Sequence, residues 1–187
     1  MRIVGGRFRG RPLKGPASDA IRPTSDRLRE TIFNILAHGY DDAVSGARVL
    51  DLFSGTGAMG LEALSRGAAF ALLVDDSAQA RGLIRENVET LGVGGETRLF
   101  RRDATRMGPA APNEPFSLVF CDPPYGKGLA QRALASCAAG GWLGTGALVV
   151  IEEAGDAAVT LPQGFALLEG RDYGEAQVAF ARYDTEA

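Results

Sequence analysis

The segment Asp122-Pro123-Pro124-Tyr125 combines residue types that can hold an amine. The two prolines fix the backbone and remove N–H donors, so carbonyl oxygens and the Asp122 carboxylate form an array of acceptors. Two acceptors that hold the hydrogens of an exocyclic base amine favour rehybridisation of its nitrogen toward sp3, which aims the lone pair at an electrophile. Tyr125 can stack on the base and contribute ~1–3 kcal/mol. The four residues predict a catalytic segment that positions a base amine.

A glycine-rich loop follows the apolar run RVLDL. Gly55, Gly57 and Gly60 match the G-x-G-x-x-G spacing of dinucleotide-binding loops, in which the backbone approaches a ligand at a helix N-terminus. Asp51 precedes this loop, and its carboxylate would repel a pyrophosphate. The same carboxylate attracts the cationic ammonium and sulfonium of S-adenosylmethionine (AdoMet), with about 1.5–3 kcal/mol from a charge-assisted hydrogen bond. The predicted cofactor-binding residues here are Asp51, Phe53, Ser54, Gly55, Thr56 and Gly57.

Acidic residues also follow the next two apolar runs. Asp75 lies 20 residues after Gly55, where a carboxylate can accept both ribose hydroxyls. Asp76 is the alternative ribose ligand, because two adjacent aspartates follow this run and the sequence does not decide which of them faces the ligand. Asp103, followed by Ala104, comes after the run TRLF and is placed to reach the adenine edge, although an Asp after a strand can also be only a turn residue. These residues complete the predicted AdoMet site.

Alternating strands and helices are needed to bring these segments together. The runs RVLDLF, FALLVD, TRLF, FSLVFCD and ALVVIEE alternate with helical patterns over residues 58–65, 77–91 and 129–138. Several runs are continuously apolar, as parallel strands buried on both faces require. The last runs, FALLEGRDYG and EAQVAFARY, leave no room for a crossover helix and should pair antiparallel. The predicted fold class is α/β, with a Rossmann-like doubly wound, mostly parallel sheet.

The chain is predicted to divide into an N-terminal arm, residues 1–22, and a larger domain, residues 23–187. Alternation and turn glycines over residues 1–15 predict a short β-hairpin. A helix should then begin after Pro23, with Thr24 or Ser25 as its cap. Its predicted buried stripe consists of Leu28, Ile32, Ile35 and Leu36, and Arg27 and Arg29 fall off that stripe and should stay available.

Charge is distributed unevenly along the chain. The net charge is −3, but residues 1–30 sum to +5 and the remaining 157 residues to −8. Arginines spaced one residue apart around Phe8 suit phosphate contacts and stacking on unpaired bases. The alternative is a solvated edge whose charges only prevent aggregation. The predicted RNA-binding residues are Arg7, Arg9, Arg11, Lys14, Arg22, Arg27, Arg29 and, beside Tyr125, Lys127.

Length and composition exclude several classes of protein. A chain of 187 residues, 45% of them hydrophobic and 23% charged, suits one well-filled core. No apolar stretch approaches the ~20 residues that a membrane helix requires. The two cysteines, Cys121 and Cys137, form neither a metal-binding pattern nor a disulfide scaffold, so we expect no metal and a reducing cytoplasm.

Together these motifs resemble the class I AdoMet-dependent methyltransferases, and among them the bacterial 16S rRNA guanine-N2 methyltransferases that modify guanine 966. The most specific likeness is RIVGGRFRGRPL followed by IRPTSDRLRETIFNIL, which general methyltransferases lack. LDLFSGTGAMGLEALSRGA and VFCDPPYGKGL then follow in the family's order, so the likeness covers nearly the whole chain. Two positions depart from the family pattern. The family often has Glu as the ribose ligand where VDDS stands here, which favours Asp75 over Asp76, and many members have Phe at Tyr125.

The resemblance implies a seven-stranded sheet with an antiparallel hairpin at one edge, AdoMet as methyl donor and no metal. It implies that Asp122 and Tyr125 hold the guanine N2 amine, and that the arginine arm with Arg22, Arg27 and Arg29 holds RNA phosphates. The implied substrate is 16S rRNA in the assembling 30S subunit, and we expect a monomer in the cytoplasm. The residues that would bind AdoMet are Asp51, Gly55, Gly57, Asp75 and Asp103.

Four other functions share part of these motifs. A DNA methyltransferase acting on adenine N6 or cytosine N4 would use Asp-Pro-Pro-Tyr, but the chain leaves little room for a target-recognition domain. A protein-glutamine methyltransferase resembles Asn-Pro-Pro-Tyr and needs no basic arm. An NAD-dependent oxidoreductase would use the glycine loop, and Asp51 speaks against it. A non-catalytic RNA-binding protein would use the arm, and Asp122 speaks against that.

Overall fold

The computed structural model describes residues 1–17, 21 and 23–185. Their centre is a seven-stranded sheet in the order β3-β2-β1-β4-β5-β7-β6. The strands are β1 Arg48–Leu52, β2 Phe70–Val74, β3 Thr97–Phe100, β4 Phe116–Cys121, β5 Leu143–Ala154, β6 Phe165–Tyr173 and β7 Ala176–Tyr183. The helices are α1 Asp26–Gly39, α2 Ala58–Ser65, α3 Ala78–Leu91 and α4 Leu129–Gly140, with short 3-10 turns at Gly6–Phe8 and Gly94–Glu96.

The predicted α/β fold class is confirmed, including the antiparallel edge. Strands β1 to β5 pair parallel, and β7 pairs antiparallel with both β5 and β6. The strand order reverses between β1 and β4, the switch point at which ligands bind in doubly wound sheets. Only β5 differs substantially in length, because it begins at Leu143, four residues before the predicted apolar run.

Both faces of the sheet are buried, which explains the continuous apolar runs. Val49 and Phe120 belong to one hydrophobic cluster, packed against α1, α2 and α3. Leu50 and Cys121 belong to the other, packed against α4 and Trp142. Alternate residues of one strand therefore supply opposite cores, and Cys121 is a packing residue. Within the described residues, no helix is long and apolar enough to cross a membrane.

The N-terminal segment forms a shorter antiparallel pairing than a β-hairpin of two full strands. Its two halves share a bridge between Arg2 and Pro12 and hydrogen bonds from the Ile3 and Leu13 N–H groups to the carbonyls of Arg11 and Met1, but no longer ladder of strand pairs. The N–H groups of Val4 and Gly5 donate to the Glu62 carboxylate at 3.0 and 2.9 Å. Residues Ile3 and Leu13 are buried in the core. The segment is therefore packed on α2, and the division at residue 22 stays a prediction.

The expectation that Arg29 stays available is wrong. The buried residues of α1 are Arg29, Ile32, Phe33 and Leu36, a spacing of i, i+3, i+4 and i+7 that places the arginine on the apolar face. Arg29 is fully buried, and its guanidinium pairs with the fully buried Glu62 at 3.1 Å and with Asp26 at 2.8 Å. It also donates to the carbonyls of Arg2 and Thr24. Arg27 is exposed, as predicted.

We expect Glu62→Ala to destabilise the protein by about 3–5 kcal/mol, because it leaves the Arg29 charge buried and unpaired. Glu96→Ala is the matched control. Its pair with Arg7 joins side chains that are 49% and 40% exposed, so the change should cost less than about 1 kcal/mol. Urea titration gives the free energy of unfolding of both variants. Equal losses of that free energy would contradict the expectation that burial of the ion pair determines the cost of breaking it.

Candidate active site

A cavity of about 440 Å³ lies at the carboxyl ends of the central parallel strands. The segment before α1, the glycine loop, the residues after β2 and the Asp122–Tyr125 segment all contribute to its wall. No lysine or arginine among the described residues lines it. Its carboxyl groups belong to Asp51, Asp75, Asp76, Asp122 and Glu152. An acidic wall of this kind favours a cationic or hydrogen-bond-donating ligand.

The glycine loop has the backbone that its sequence predicts. Gly55 and Gly57 have φ values of +61° and +83°, in the region that favours glycine. Gly60 serves a different purpose, since a Cβ there would lie 2.3 Å from a methyl of Leu73 and 3.3 Å from an Asp51 oxygen. Its lack of a side chain lets α2 approach β2 closely. Phe53, Ser54 and Thr56 also line the cavity, as expected of the loop.

Asp51 is held by one oxygen and leaves the other to the cavity. The Ser54 hydroxyl and the Gly60 N–H both donate to Oδ2, at 2.8 and 3.1 Å. No donor from the described residues reaches Oδ1. Burial, opposed in part by those two hydrogen bonds and reinforced by the Asp75 charge, raises the pKa of Asp51 to about 7. A cation bound at Oδ1 would lower that pKa and restore the carboxylate.

The two ribose candidates are placed differently, although both line the cavity. Asp75 accepts from the N–H groups of Gly55 and Ser77, each at 2.9 Å, and is partly buried, which raises its pKa. Asp76 is exposed. The first is thus an ordered acceptor that ties the end of β2 to the glycine loop, whereas the second presents its carboxylate to solvent. The choice between them stays open.

Asp103 and Ala104 lie outside the cavity lining. The Asp103 carboxylate accepts from the N–H and the hydroxyl of Thr105, at 2.8 and 2.7 Å, and these bonds lower its pKa. Ala104 is buried in the hydrophobic core on the α4 side. In the described structure, Asp103 therefore closes a turn after β3, which was the alternative considered for it. The adenine role of both residues stays a prediction.

The Asp122–Tyr125 segment is joined to two residues that sequence reasoning missed as site residues. Thr24 Oγ1 lies 2.8 Å from Glu152 Oε2 and 3.2 Å from Asp122 Oδ2. The Tyr125 hydroxyl lies 3.0 Å from Glu152 Oε1. Burial and the nearby Glu152 charge raise the pKa of Asp122 well above its usual value. Ser25 caps α1, so its neighbour Thr24 is left to enter the site.

A sequence signal existed for Glu152 but not for Thr24. Glu152 is the first of the two acids that end the run ALVVIEE, and an acid near the end of a parallel strand meets the other strand ends at one edge of the sheet. Thr24 was identified only as a possible helix cap. Its approach to the site depends on how α1 is docked, which no local pattern records.

The predicted RNA-binding residues fall into four groups. Arg7 pairs with Glu96, Arg11 donates to the Thr90 carbonyl and Lys14 pairs with Glu86, so these cations already have partners. Arg29 is buried, and Arg22 lies outside the described residues. The side chains of the remaining group are exposed and make no hydrogen bond or ion pair within the described chain; the group consists of Arg9, Arg27 and Lys127.

Comparison with known proteins identifies the relatives of this chain. Residues 1–182 match the model of the family described as Conserved hypothetical protein 95. The chain belongs to this family. It is 40% identical over 189 residues to ribosomal RNA small subunit methyltransferase D of Escherichia coli strain K12, covering 100% of this chain and 91% of the relative. A putative rRNA methyltransferase of Bacillus subtilis is 40% identical over 127 residues, 67% of each chain.

Solved structures agree with this relationship. A putative methyltransferase, yhhF, from Escherichia coli has a TM-score of 0.83 and 33% identity, covering 99% of this chain and 98% of that one. A putative methylase from Haemophilus influenzae has a TM-score of 0.78 and 29% identity, with 98% of each chain covered. The resemblance to the methyltransferase family that the sequence motifs indicated is confirmed.

The predicted role of Asp51 as ligand of the AdoMet ammonium requires its ionised form, so we expect AdoMet binding to weaken as the pH falls. With a pKa near 7, the Asp51 carboxylate is mostly ionised at about pH 7.5 and mostly protonated at about pH 6. We therefore expect a dissociation constant about five to ten times larger at the lower pH. Calorimetric titration of the protein with AdoMet at both pH values measures this ratio.

Asp51→Asn is the matched variant, since the amide oxygen can still accept from Ser54 and Gly60. It should bind AdoMet weakly and show a smaller pH dependence than the unchanged protein. Its melting temperature above pH 7 should be no lower, because burial of an ionised carboxylate no longer opposes folding. The same pH dependence in both proteins would contradict the assignment to Asp51.

Proposed function

We propose that the protein transfers a methyl group from AdoMet to the N2 amine of guanine 966 in 16S rRNA. The observation that carries this proposal is that one cavity is lined by two sites of different chemistry. A glycine loop with an open carboxylate oxygen on Asp51 lies on one side, and the acceptor array at Asp122 lies on the other. The cavity thus suits a cationic cofactor beside a ligand that donates hydrogen bonds.

The residues of the glycine loop fit AdoMet better than a dinucleotide. The acidic lining, without a lysine or arginine among the described residues, would repel a pyrophosphate but attract an ammonium or sulfonium. Asp51 would hold the ammonium, Asp75 or Asp76 the ribose, and Gly55, which lines the cavity, leaves space for the ligand. AdoMet supplies an electrophilic methyl group. This argument disfavours the NAD-dependent alternative.

Asp122 and Tyr125 act on the base. The Asp122 carboxylate would accept from the N2 amine, which directs the nitrogen lone pair out of the ring plane toward the cofactor side of the cavity. Tyr125 would stack on the base while its hydroxyl holds Glu152. Attack by the N2 lone pair would form the N–CH3 bond and break the S–CH3 bond of AdoMet, with S-adenosyl-L-homocysteine as the leaving group. The methylated amine would then lose its extra proton to Asp122 or to solvent. The main contribution of these residues is preorganisation of the amine.

The nature of the substrate is supported by the relatives. Those from Escherichia coli and Haemophilus influenzae are named small subunit rRNA methyltransferases. We infer an RNA substrate from these names, and the guanine, its position and the assembling 30S particle from the sequence resemblance. Action in the cytoplasm as a monomer, without a metal, completes the proposal. The described residues contain no group of three or more His, Cys, Asp or Glu side chains placed to hold a metal ion.

Deletion of the gene should remove one methyl group from one guanine of the small-subunit RNA, and Asp122→Ala should fail to restore it. We expect the variant to lose about 100-fold or more in turnover, because the amine is no longer held. Mass mapping of the RNA measures the first result, and methyl incorporation into particles from the deletion strain measures the second.

AdoMet affinity is the control for Asp122→Ala. It should change little, because Asp51 and the glycine loop are untouched. Asp122→Asn should retain part of the turnover through its amide oxygen. If the RNA of the deletion strain is unchanged, the substrate assignment fails. If Asp122→Ala turns over normally, the role of this carboxylate fails.

Combined replacement of Arg9, Arg27 and Lys127 by Ala should weaken RNA binding and reduce its salt dependence. Each lost phosphate contact removes about 0.7–0.9 from the log–log slope. Arg182→Ala is the control, since Arg182 pairs with Leu148 in the middle of β5, away from the strand ends that form the cavity. Filter binding of small-subunit RNA at several salt concentrations measures the slope. A slope unaffected by the triple change would place the RNA surface elsewhere.

A further inference from the structure

Glu152 stands beside Asp122 in the cavity wall. Strands β4 and β5 pair parallel with Cys121 opposite Ile151, so the next residues lie side by side, Asp122 just past the end of β4 and Glu152 still within β5. Glu152 is only 8% exposed, yet it lines the cavity. A buried carboxylate is costly unless it is hydrogen-bonded. The buried Glu152 carboxylate, next to Asp122, therefore requires hydrogen-bond donors around it.

Two hydroxyl groups orient the Glu152 carboxylate. Tyr125 is bonded to Oε1 at 3.0 Å and Thr24 to Oε2 at 2.8 Å. An ionised carboxylate has about four acceptor positions, so Glu152 retains acceptor capacity beyond these two bonds. Thr24 has a single hydroxyl hydrogen for Glu152 and Asp122 together. Asp122 and Glu152 together therefore suit a ligand that has hydrogen-bond donors on neighbouring atoms.

Guanine has such a set of donors. Its N1–H lies next to the N2 amine, whereas the amines of adenine N6 and cytosine N4 lie next to a ring nitrogen that is an acceptor. A second carboxylate beside the amine would accept from N1–H of guanine but would repel the lone pair of adenine or cytosine. We propose that Glu152 is the specificity-determining residue that reads guanine N1–H while Asp122 holds N2. This inference rests on the proposed function.

Glu153 shows how a purely structural carboxylate differs at the same place. It is buried as deeply as its neighbour, but its Oε1 accepts from the backbone N–H groups of Gly126 and Ala154. Those bonds fix the loop that follows Tyr125. Glu153 does not line the cavity. Glu153→Gln is therefore the matched control for Glu152→Gln.

The test uses small-subunit particles reconstituted with a modified nucleotide at the target guanine. The nucleotide 2-aminopurine keeps the N2 amine but has an acceptor at N1 and lacks O6. The nucleotide 6-thioguanine keeps N1–H and replaces O6 by sulfur, so it controls for the loss of O6. The unchanged protein should methylate 6-thioguanine nearly as well as guanine. Its kcat/KM for 2-aminopurine should be lower by about 100-fold or more, because Glu152 then lacks its donor.

The variants identify the group that discriminates. In Glu152→Gln the amide can donate to the N1 acceptor, so the preference for guanine over 2-aminopurine should shrink to within about tenfold. The preference should be unchanged in Glu153→Gln. Urea titration checks that each variant is folded. If Glu152→Gln is not, the comparison of guanine, 6-thioguanine and 2-aminopurine with the unchanged protein still decides whether N1–H is read.

The outcomes separate this inference from the proposed function. Methylation of guanine and 2-aminopurine at similar rates would overturn the reading of N1–H and leave the N2 assignment intact. Full discrimination by a folded Glu152→Gln would assign the reading to another residue and overturn the inference as well. Absence of methylation on particles that contain guanine would refute the proposed function, and the inference would fall with it.

Discussion

The carboxylate of Glu62 is the interaction on which the arrangement of the N-terminal third depends. It is fully buried, and it accepts from the backbone of Val4 and Gly5 and from the side chains of Arg29 and Arg66. One residue of α2 thus fixes the first segment and α1 against the helix that follows the glycine loop. Arg29 extends the connection, because it also donates to the carbonyl of Thr24. Thr24 in turn contacts Asp122 and Glu152.

The site itself is a concentration of like charge that the fold tolerates. Parallel strands bring their carboxyl ends to one edge, and the acids at or near the carboxyl ends of β1, β2, β4 and β5 therefore share a cavity. Burial raises the pKa of Asp51 and Asp122, so these groups are less stable as anions in the ligand-free protein than they would be in water. The proposed cationic cofactor and the hydrogen-bond-donating base would relieve that unfavourable state. Affinity for these ligands would thus be obtained at the expense of the stability of the ligand-free protein.

The sequence predicted most of the fold and three of the segments that line the cavity, namely the glycine loop, the residues after β2 and the Asp122–Tyr125 segment. Apolar runs and glycine spacing depend on neighbours in the chain, so the strands, the helices, the loop at Gly55 and the Asp122 segment were predicted correctly. Thr24 and Glu152 were missed because their meeting depends on the pairing of β4 with β5 and on the docking of α1. Arg29 was misplaced for the same reason. Hydrophobic periodicity cannot anticipate a buried arginine whose partner, Glu62, lies on another helix.

The packing of the first segment has a consequence for how such proteins can be recombined. Thr24, which contacts both acids of the site, is held through Arg29 by a carboxylate on α2. Ile3 and Leu13 add their side chains to the same core. A chimera that exchanged only the first residues between two relatives would separate these partners. The N-terminal segment is thus inherited together with α2, and substitutions at the two places should be correlated over evolutionary time.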